Sequence, residues 1–315
     1  MKRPSVNILL IYVGRLPSYF HLFLRSCASN PGFNWTLATT DPVEFDLPAN
    51  VRRVEFKIDD FKERIVEKLG IIPDLRRPYK ICDFRPAFGC LFPDWFSGYD
   101  FWGHCDADVV FGDLERFFPA KVFEGHKKIQ MRGALSFFKN DADGNSLFRL
   151  PHPFIKYGEV FSDHRYCGFD EWEGLHKILK FNDLSYFLSD DVAEIQVSRY
   201  DLALAHHVNY ERQIFTWEDG RILRTAWVDG REICDEYGYI HLQKRSIENV
   251  SVDDGSDFAF LPRTIVSFCD QGEKRALAER NRRSRFRELK FHFGRIPRYF
   301  RSLKTVNRSY WRSSQ

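Results

Sequence analysis

Two aspartates one residue apart, Asp106 and Asp108, lie between two apolar runs in the stretch YDFWGHCDADVVFGDL, residues 99–114. A run of this kind reads as a buried strand that ends in two carboxylates. Residues i and i+2 on a strand share a face, so both acids can reach one hard divalent cation through oxygen. Carboxylates are costly to bury unless paired or metal-bound. A solvated turn is the competing reading, and the chain holds an example of one. Asp141-Ala-Asp143-Gly144-Asn145 sits in a polar, glycine-containing stretch. Its twelve-residue window closes on His152, where an EF-hand loop needs a glutamate. A plain turn is expected there.

The remaining candidates are scattered. His241 and Lys244 stand three apart just after a strand-like run; a core histidine is the alternative for His241. Lys80, Asp83 and Arg85 interrupt an apolar pattern within residues 76–94, either as an ion-pair set on one helix face or as ligand contacts. Asp170 and Glu171 precede a helical pattern. They suit a general base or nucleophile, or acids that complement a helix dipole. Being adjacent, only one of them is expected to face a site. Tyr12 and Gly14 end a first strand, and Thr39, Thr40 and Asp41 a second, where open α/β sheets bind ligands. His206 and His207 have no such context and read as structural.

The elements that must position these residues begin with strands at 6–13, 34–40 and 51–56. Helices are expected at 19–29, with Ser18 as N-cap, and at 59–69, stopped by Gly70. A helix over about 78–92 is kinked or delayed by Pro86. The stretch 113–118 reads as a short helix or turn, 128–135 as a strand, and a helix opens at Phe169. Residues 206–247 form a meander whose hairpins turn at Asp219-Gly220 and Asp229-Gly230, followed by loop to about 265. The fold class is therefore α/β, a mostly parallel sheet with covering helices plus a β-meander. One domain spans 1–270, and a basic helical extension spans 271–315.

Composition fits a globular chain of 315 residues, 43 % hydrophobic and 29 % charged. The 31 phenylalanines are many, an abundance that sugars packing on aromatic faces would suit. No run of eighteen apolar residues predicts a membrane span, and the basic start reads into a first strand. Seven cysteines without a CxxC pair imply reduced thiols in a cytosolic protein with no zinc cluster. Residues 273–315 carry fourteen Lys or Arg and three Glu, a net +11; the rest carries −8, giving the total of +3. Phe286, Leu289, Phe293, Ile296 and Phe300 within the basic tail suggest an amphipathic helix for an anionic membrane surface. The nucleic-acid alternative reads the same tail as an arginine-rich arm, and a solvated tail is a third reading; the interleaved phenylalanines and the acidic body favour the membrane.

The stretch KICDFRPAFGCLFPDWFSGYDFWGHCDADVVFGDL, residues 80–114, with His241 and Lys244 downstream, resembles the GT-A glycosyltransferases. The resemblance runs over about residues 6–245. It is strongest to bacterial polysaccharide-locus members and more distant to glycogenin-type and mannosyltransferase-type families. It implies a GT-A (Rossmann-like) fold and Mn²⁺ or Mg²⁺ held by Asp106, Asp108 and His241. Lys244 would lie on phosphate, and a nucleotide-sugar donor, a UDP-sugar, would meet Tyr12, Gly14, Thr39, Asp41, Lys80, Asp83, Arg85 and Asp106. Asp170 or Glu171 would serve the acceptor, Trp172 would stack on a sugar or lie in the core, and Gly133-Ala134 would floor the donor sugar. The implied acceptor is a cell-surface or lipid-linked glycan at the inner face of the cytoplasmic membrane. A non-catalytic membrane scaffold and a sugar nucleotidyltransferase are the alternatives. The latter would want a glycine-rich phosphate loop after the first strand, and VGRLPSYF has one glycine.

Overall fold

The computed structural model describes residues 3–281. Apolar runs give the first layer: β1 (Val6–Tyr12), α1 (Phe20–Ala28), β2 (Asn34–Thr39), β3 (Val51–Glu55) and α2 (Ile58–Leu69), the last closed by left-handed Gly70. Ser18 does not cap α1; Tyr19 holds the N-cap position, and no side chain bonds there. A 3₁₀ segment, Pro78–Ala87, runs into the single turn α3 (Phe88–Leu91). Pro86 cannot donate to an α-helical ladder, so the expected helix forms as this tighter coil. Next come β4 (Phe101–Cys105) and β5 (Val109–Phe111), with Asp106, Ala107 and Asp108 in the turn between them. Then follow α4 (Leu114–Phe117), capped by Asp113, and α5 (Ala120–Gly125).

The expected strand at 128–135 is two strands, β6 (Lys128–Arg132) and β7 (Leu135–Lys139), turning at Gly133-Ala134. Residues 136–140, expected as lead-in to a loop, are mostly strand. A 3₁₀ segment at Gly144–Arg149, α6 (Tyr157–Ser162) and α7 (Leu175–Phe181) follow. The helix expected from Phe169 starts six residues later. Phe169–Gly174 is instead a turn, in which a Cβ at Gly174 would stand 2.3 Å from the Phe169 Cα. The meander is present as β9 (Gln213–Glu218), β10 (Arg221–Val228) and β11 (Arg231–Tyr237), after the two-residue β8 (Ala193–Glu194). Asp219-Gly220 and Asp229-Gly230 all have φ between 45° and 79°, as primed hairpin turns require. β12 (Tyr239–His241) leads on to β13 (Asn249–Ser251), β14 (Phe258–Phe260), β15 (Thr264–Ser267) and α8 (Gln271–Asn281). The loop expected up to 265 thus contains β13, β14 and the start of β15, and β14 pairs with β9.

The central sheet has the order β3-β2-β1-β4-β7-β6; β1 to β4 are parallel, and the β6–β7 hairpin is antiparallel at one edge. This is the α/β class the sequence predicts, with the meander forming a second sheet, β11-β10-β9-β14-β15-β13. Alternate residues of β1 face opposite layers. Val6, Ile8 and Leu10 pack with α1, and Leu9 packs with α2 and the Pro78–Leu91 coil. Most of the phenylalanines fill these cores; Phe84 stacks on Phe161 at 4.2 Å and Trp102 on Phe138 at 4.1 Å. α8 docks on the meander, where Asn281 bonds the Leu202 amide and Lys274 pairs with Glu218. No helix among the described residues is long and apolar enough to cross a membrane. Phe286, Leu289, Phe293, Ile296 and Phe300, and the amphipathic helix expected of them, lie outside the described residues.

Candidate metal centre

β4 ends at Cys105, and the chain turns at Asp106-Ala107-Asp108 before β5 pairs with β12, His241 opposite Val109. That antiparallel register brings a histidine 133 positions away onto the two aspartates. His241 Nε2 is 3.2 Å from Asp108 Oδ1 and 3.6 Å from Asp106 Oδ2, and one ligand atom of each residue lies within 4.8 Å of the others. Cis ligands of an octahedral ion bound at about 2.1 Å stand roughly 3 Å apart, so the spacing fits one divalent ion. Two hard oxygens and an imidazole suit Mn²⁺, Mg²⁺ or a related ion. The three residues line one cavity of about 860 Å³.

Glu194, on β8 beside β12, was not foreseen from sequence. Its Oε2 takes the His241 Nδ1 contact at 2.8 Å and a Gln243 Nε2 bond at 2.8 Å, while Tyr239 O–H reaches Oε1 at 3.3 Å. A carboxylate behind a ligating histidine fixes which nitrogen faces the metal. The legible signal was an acid inside the apolar run Val192-Ala193-Glu194-Ile195. Burial works against the His241 imidazolium, but Asp108 and Glu194 outweigh it and raise its pKa well above the ordinary value. Burial likewise opposes the Asp108 carboxylate, and His241 together with the Lys244 amide overcomes it, lowering the pKa to about 2.

Lys244 follows in a strained loop, with Gln243 and Lys244 at φ 51° and 60°, rare for non-glycine residues. Its amide donates to Asp108 Oδ2 at 2.5 Å, and its ammonium donates to the Tyr79 hydroxyl at 2.8 Å. Arg85 ties the opposite wall together. It pairs with Asp106, donates to Asp170 Oδ2 at 3.0 Å, and reaches the Gly133 carbonyl at 3.2 Å. The Gly133 amide donates to Glu171 Oε1 at 2.8 Å. A Cβ at Gly133 would meet Glu171 at 2.7 Å and Arg85 at 2.9 Å, so a larger residue there would displace these side chains.

The remaining predicted residues divide. Tyr12, Arg85, Ala134, Glu171, Trp172 and Lys244 line the cavity, as does His206, which had been read as structural. Asp170 is buried behind the wall, bonded to Arg85 and to Tyr166 O–H; of the adjacent acids only Glu171 lines the cavity. Burial raises the Glu171 carboxyl pKa against the pull of the Gly133 amide. Lys80 and Asp83 are fully buried and pair with each other at 2.8 Å. Lys80 also donates to the Val160 and Arg165 carbonyls, and Asp83 accepts from the Cys167 and Phe169 amides. They are brought to the loop that carries Asp170, not to the cavity. Gly14, Thr39 and Asp41 close a turn around Thr40, whose hydroxyl accepts from the Gly14 amide and donates to Asp41 Oδ1. None of the three lines the cavity. Beyond Glu194, sequence reasoning also missed Tyr79, Tyr166 and Arg132 on the cavity wall.

A glycosyltransferase involved in the glycosylation of the major capsid of PBCV-1 is similar at 11 % identity and a TM-score of 0.33, over 61 % of this chain and 85 % of that one. The galactosyltransferase LgtC, solved with donor and acceptor sugar analogs, is similar at 9 % identity and a TM-score of 0.36, over 60 % of this chain and 75 % of that one. No curated protein matches. The model of a family of unknown function, DUF6625, matches residues 8–268, and the chain belongs to that family.

Proposed function

We propose that this protein is a metal-dependent glycosyltransferase of GT-A type that moves a sugar from a nucleotide-sugar donor, a UDP-sugar, to a glycan. The observation that carries the reading is the convergence of Asp106, Asp108 and His241 in one cavity, with Lys244 beside them. Asp106, Asp108 and His241 would hold the ion, Mn²⁺ or Mg²⁺, with Glu194 orienting the imidazole. A bound divalent ion supplies Lewis-acid stabilisation to the diphosphate leaving group. Lys244 leaves Tyr79 and adds a point charge on phosphate. Tyr12, at the end of β1, flanks the nucleoside. Arg85 and Asp170 position Asp106 and the Gly133 turn, and Glu171 is the carboxylate placed to act on the acceptor hydroxyl or the sugar.

The proposed acceptor is a cell-surface or lipid-linked glycan at the inner membrane face; the basic composition of residues 273–315 supports it. Calorimetry of UDP with and without Mn²⁺ tests the central reading. Mn²⁺ is expected to tighten UDP binding, and Asp108→Ala to abolish the gain. A metal effect that survives in the variant would sink the assignment.

A further inference from the structure

Arg132 lines the cavity and has no role in the proposed function. β6, which carries it, is irregular. Gln130 has φ 60°, a conformation that non-glycine residues adopt at a cost. The pairing with β7 shifts register between Ile129 and Arg132. The bulge is held from outside the hairpin, where the Gln130 amide donates to the Phe187 carbonyl at 2.7 Å and its Nε2 to the Ser189 carbonyl at 3.1 Å. Bulges beside sites re-aim a side chain, and the side chain following this one lines the cavity.

Arg132 is nine-tenths buried, and its ion pair is weak. Nη2 donates to Asp190 Oδ1 at 3.2 Å, and that carboxylate is 77 % exposed. Its Nε is buried without a hydrogen-bond partner. The neighbouring charges are committed elsewhere. Arg85 is shared by Asp106 and Asp170, and Glu194, whose charge also acts on Arg132, has its hydrogen bonds taken up by His241, Gln243 and Tyr239. A desolvated guanidinium needs an anion close by. A neutral hydroxyl offers a single acceptor, whereas a carboxylate fits the fork of parallel N–H groups.

We propose that Arg132 is a specificity-determining residue that selects a substrate sugar bearing a carboxylate, a hexuronate-like sugar bound against the β6–β7 hairpin. The inference rests on the nucleotide-sugar reading. The carboxylate belongs either to the transferred sugar or to the acceptor sugar.

The test uses the full chain and its Arg132→Gln and Arg132→Lys variants. With Mn²⁺ present, calorimetry compares UDP, UDP-glucose and UDP-glucuronate. Ligand-observed NMR compares methyl glucoside with methyl glucuronide, with and without Mn²⁺ and UDP. The wild type is expected to prefer the uronate by about tenfold or more in one arm. Arg132→Gln loses that preference and Arg132→Lys regains part of it, while UDP itself binds all three proteins alike. Preference in the donor arm assigns the carboxylate to the transferred sugar, and preference in the glycoside arm assigns it to the acceptor. Absence of preference in both arms overturns the proposal. So does an equal loss of UDP and uronate affinity in both variants, which would place Arg132 on the diphosphate. Failure of UDP to bind any of the proteins overturns the donor reading instead, and the nucleotide-free glycoside arm still decides the Arg132 site.

Discussion

The chain contains Asp-Ala-Asp twice, and the two copies end differently. Asp106 and Asp108 occupy a turn between buried strands, with side chains 26 % and 15 % exposed. Their oxygens meet His241, the Lys244 amide and Arg85. Asp141 and Asp143 occupy a surface turn, where Asp141 caps the Gly144 amide at 2.7 Å and Asp143, 73 % exposed, pairs with Lys127. The tripeptide is the same. What differs is the partner delivered from far along the chain, β12 to the first copy and only nearby lysines to the second. In this chain the first pair gains a histidine and that histidine's orienting acid from distant strands, whereas the second turn supplies neither a third ligand nor such an acid.

The sharpest way to break this contrast is to leave the motif intact and remove what completes it. Glu194→Gln keeps the shape of the side chain but loses the charge behind His241. Mn²⁺ affinity, read by calorimetry or by paramagnetic relaxation, is expected to fall about 10- to 100-fold. If affinity is unchanged, the orienting acid is not part of what completes the site, and the contrast rests on His241 alone.

A second expectation concerns pH in the metal-free protein. Asp108 has a lowered folded pKa, about 2, so its contribution is present above its unfolded value and lost as pH falls through about 2. His241 has a raised folded pKa, so its contribution is present below its unfolded value and lost as pH rises through the folded one. Metal-free stability from this cluster should therefore be greatest between about pH 4 and 6.5 and should fall on the alkaline side. Denaturant melts across pH measure it. Added Mn²⁺ should reverse the alkaline loss, since the metal takes neutral His241; Glu194→Gln should flatten it. An alkaline limb that ignores both would show that His241 is not coupled to the aspartates.

The same contrast explains what could be read from residue order. β1, β2, the Asp-Gly hairpins and the turn at 141–145 were legible because their causes are local: apolar runs, left-handed turn residues, a capping acid. Asp106, Asp108, His241 and Lys244 were legible as types with a familiar spacing. Glu194 and Arg132 were not, because β8 is two residues long and β6 owes its aim to a bulge pinned by residues 187 and 189. Lys80 and Asp83 show the converse. Their identity suggested ligand contacts, but burial decided their role, and it arises from packing with residues 160–169. β14 escaped notice because three residues, Phe258–Phe260, carry no periodicity by themselves.

The smallest expected effect is on the second copy. Asp143→Asn removes the Lys127 partner and the negative charge nearest to it. The pair is solvent-exposed on both sides, so water replaces what the bond supplied and salt screens the remainder. Gly144 keeps its cap, because Asp141 makes that bond. Mn²⁺ affinity and melting temperature should both match the wild type within error, measured alongside Asp108→Ala under the same conditions. A loss of metal binding in Asp143→Asn would mean that the two turns communicate, and burial would then no longer be what separates one Asp-Ala-Asp from the other.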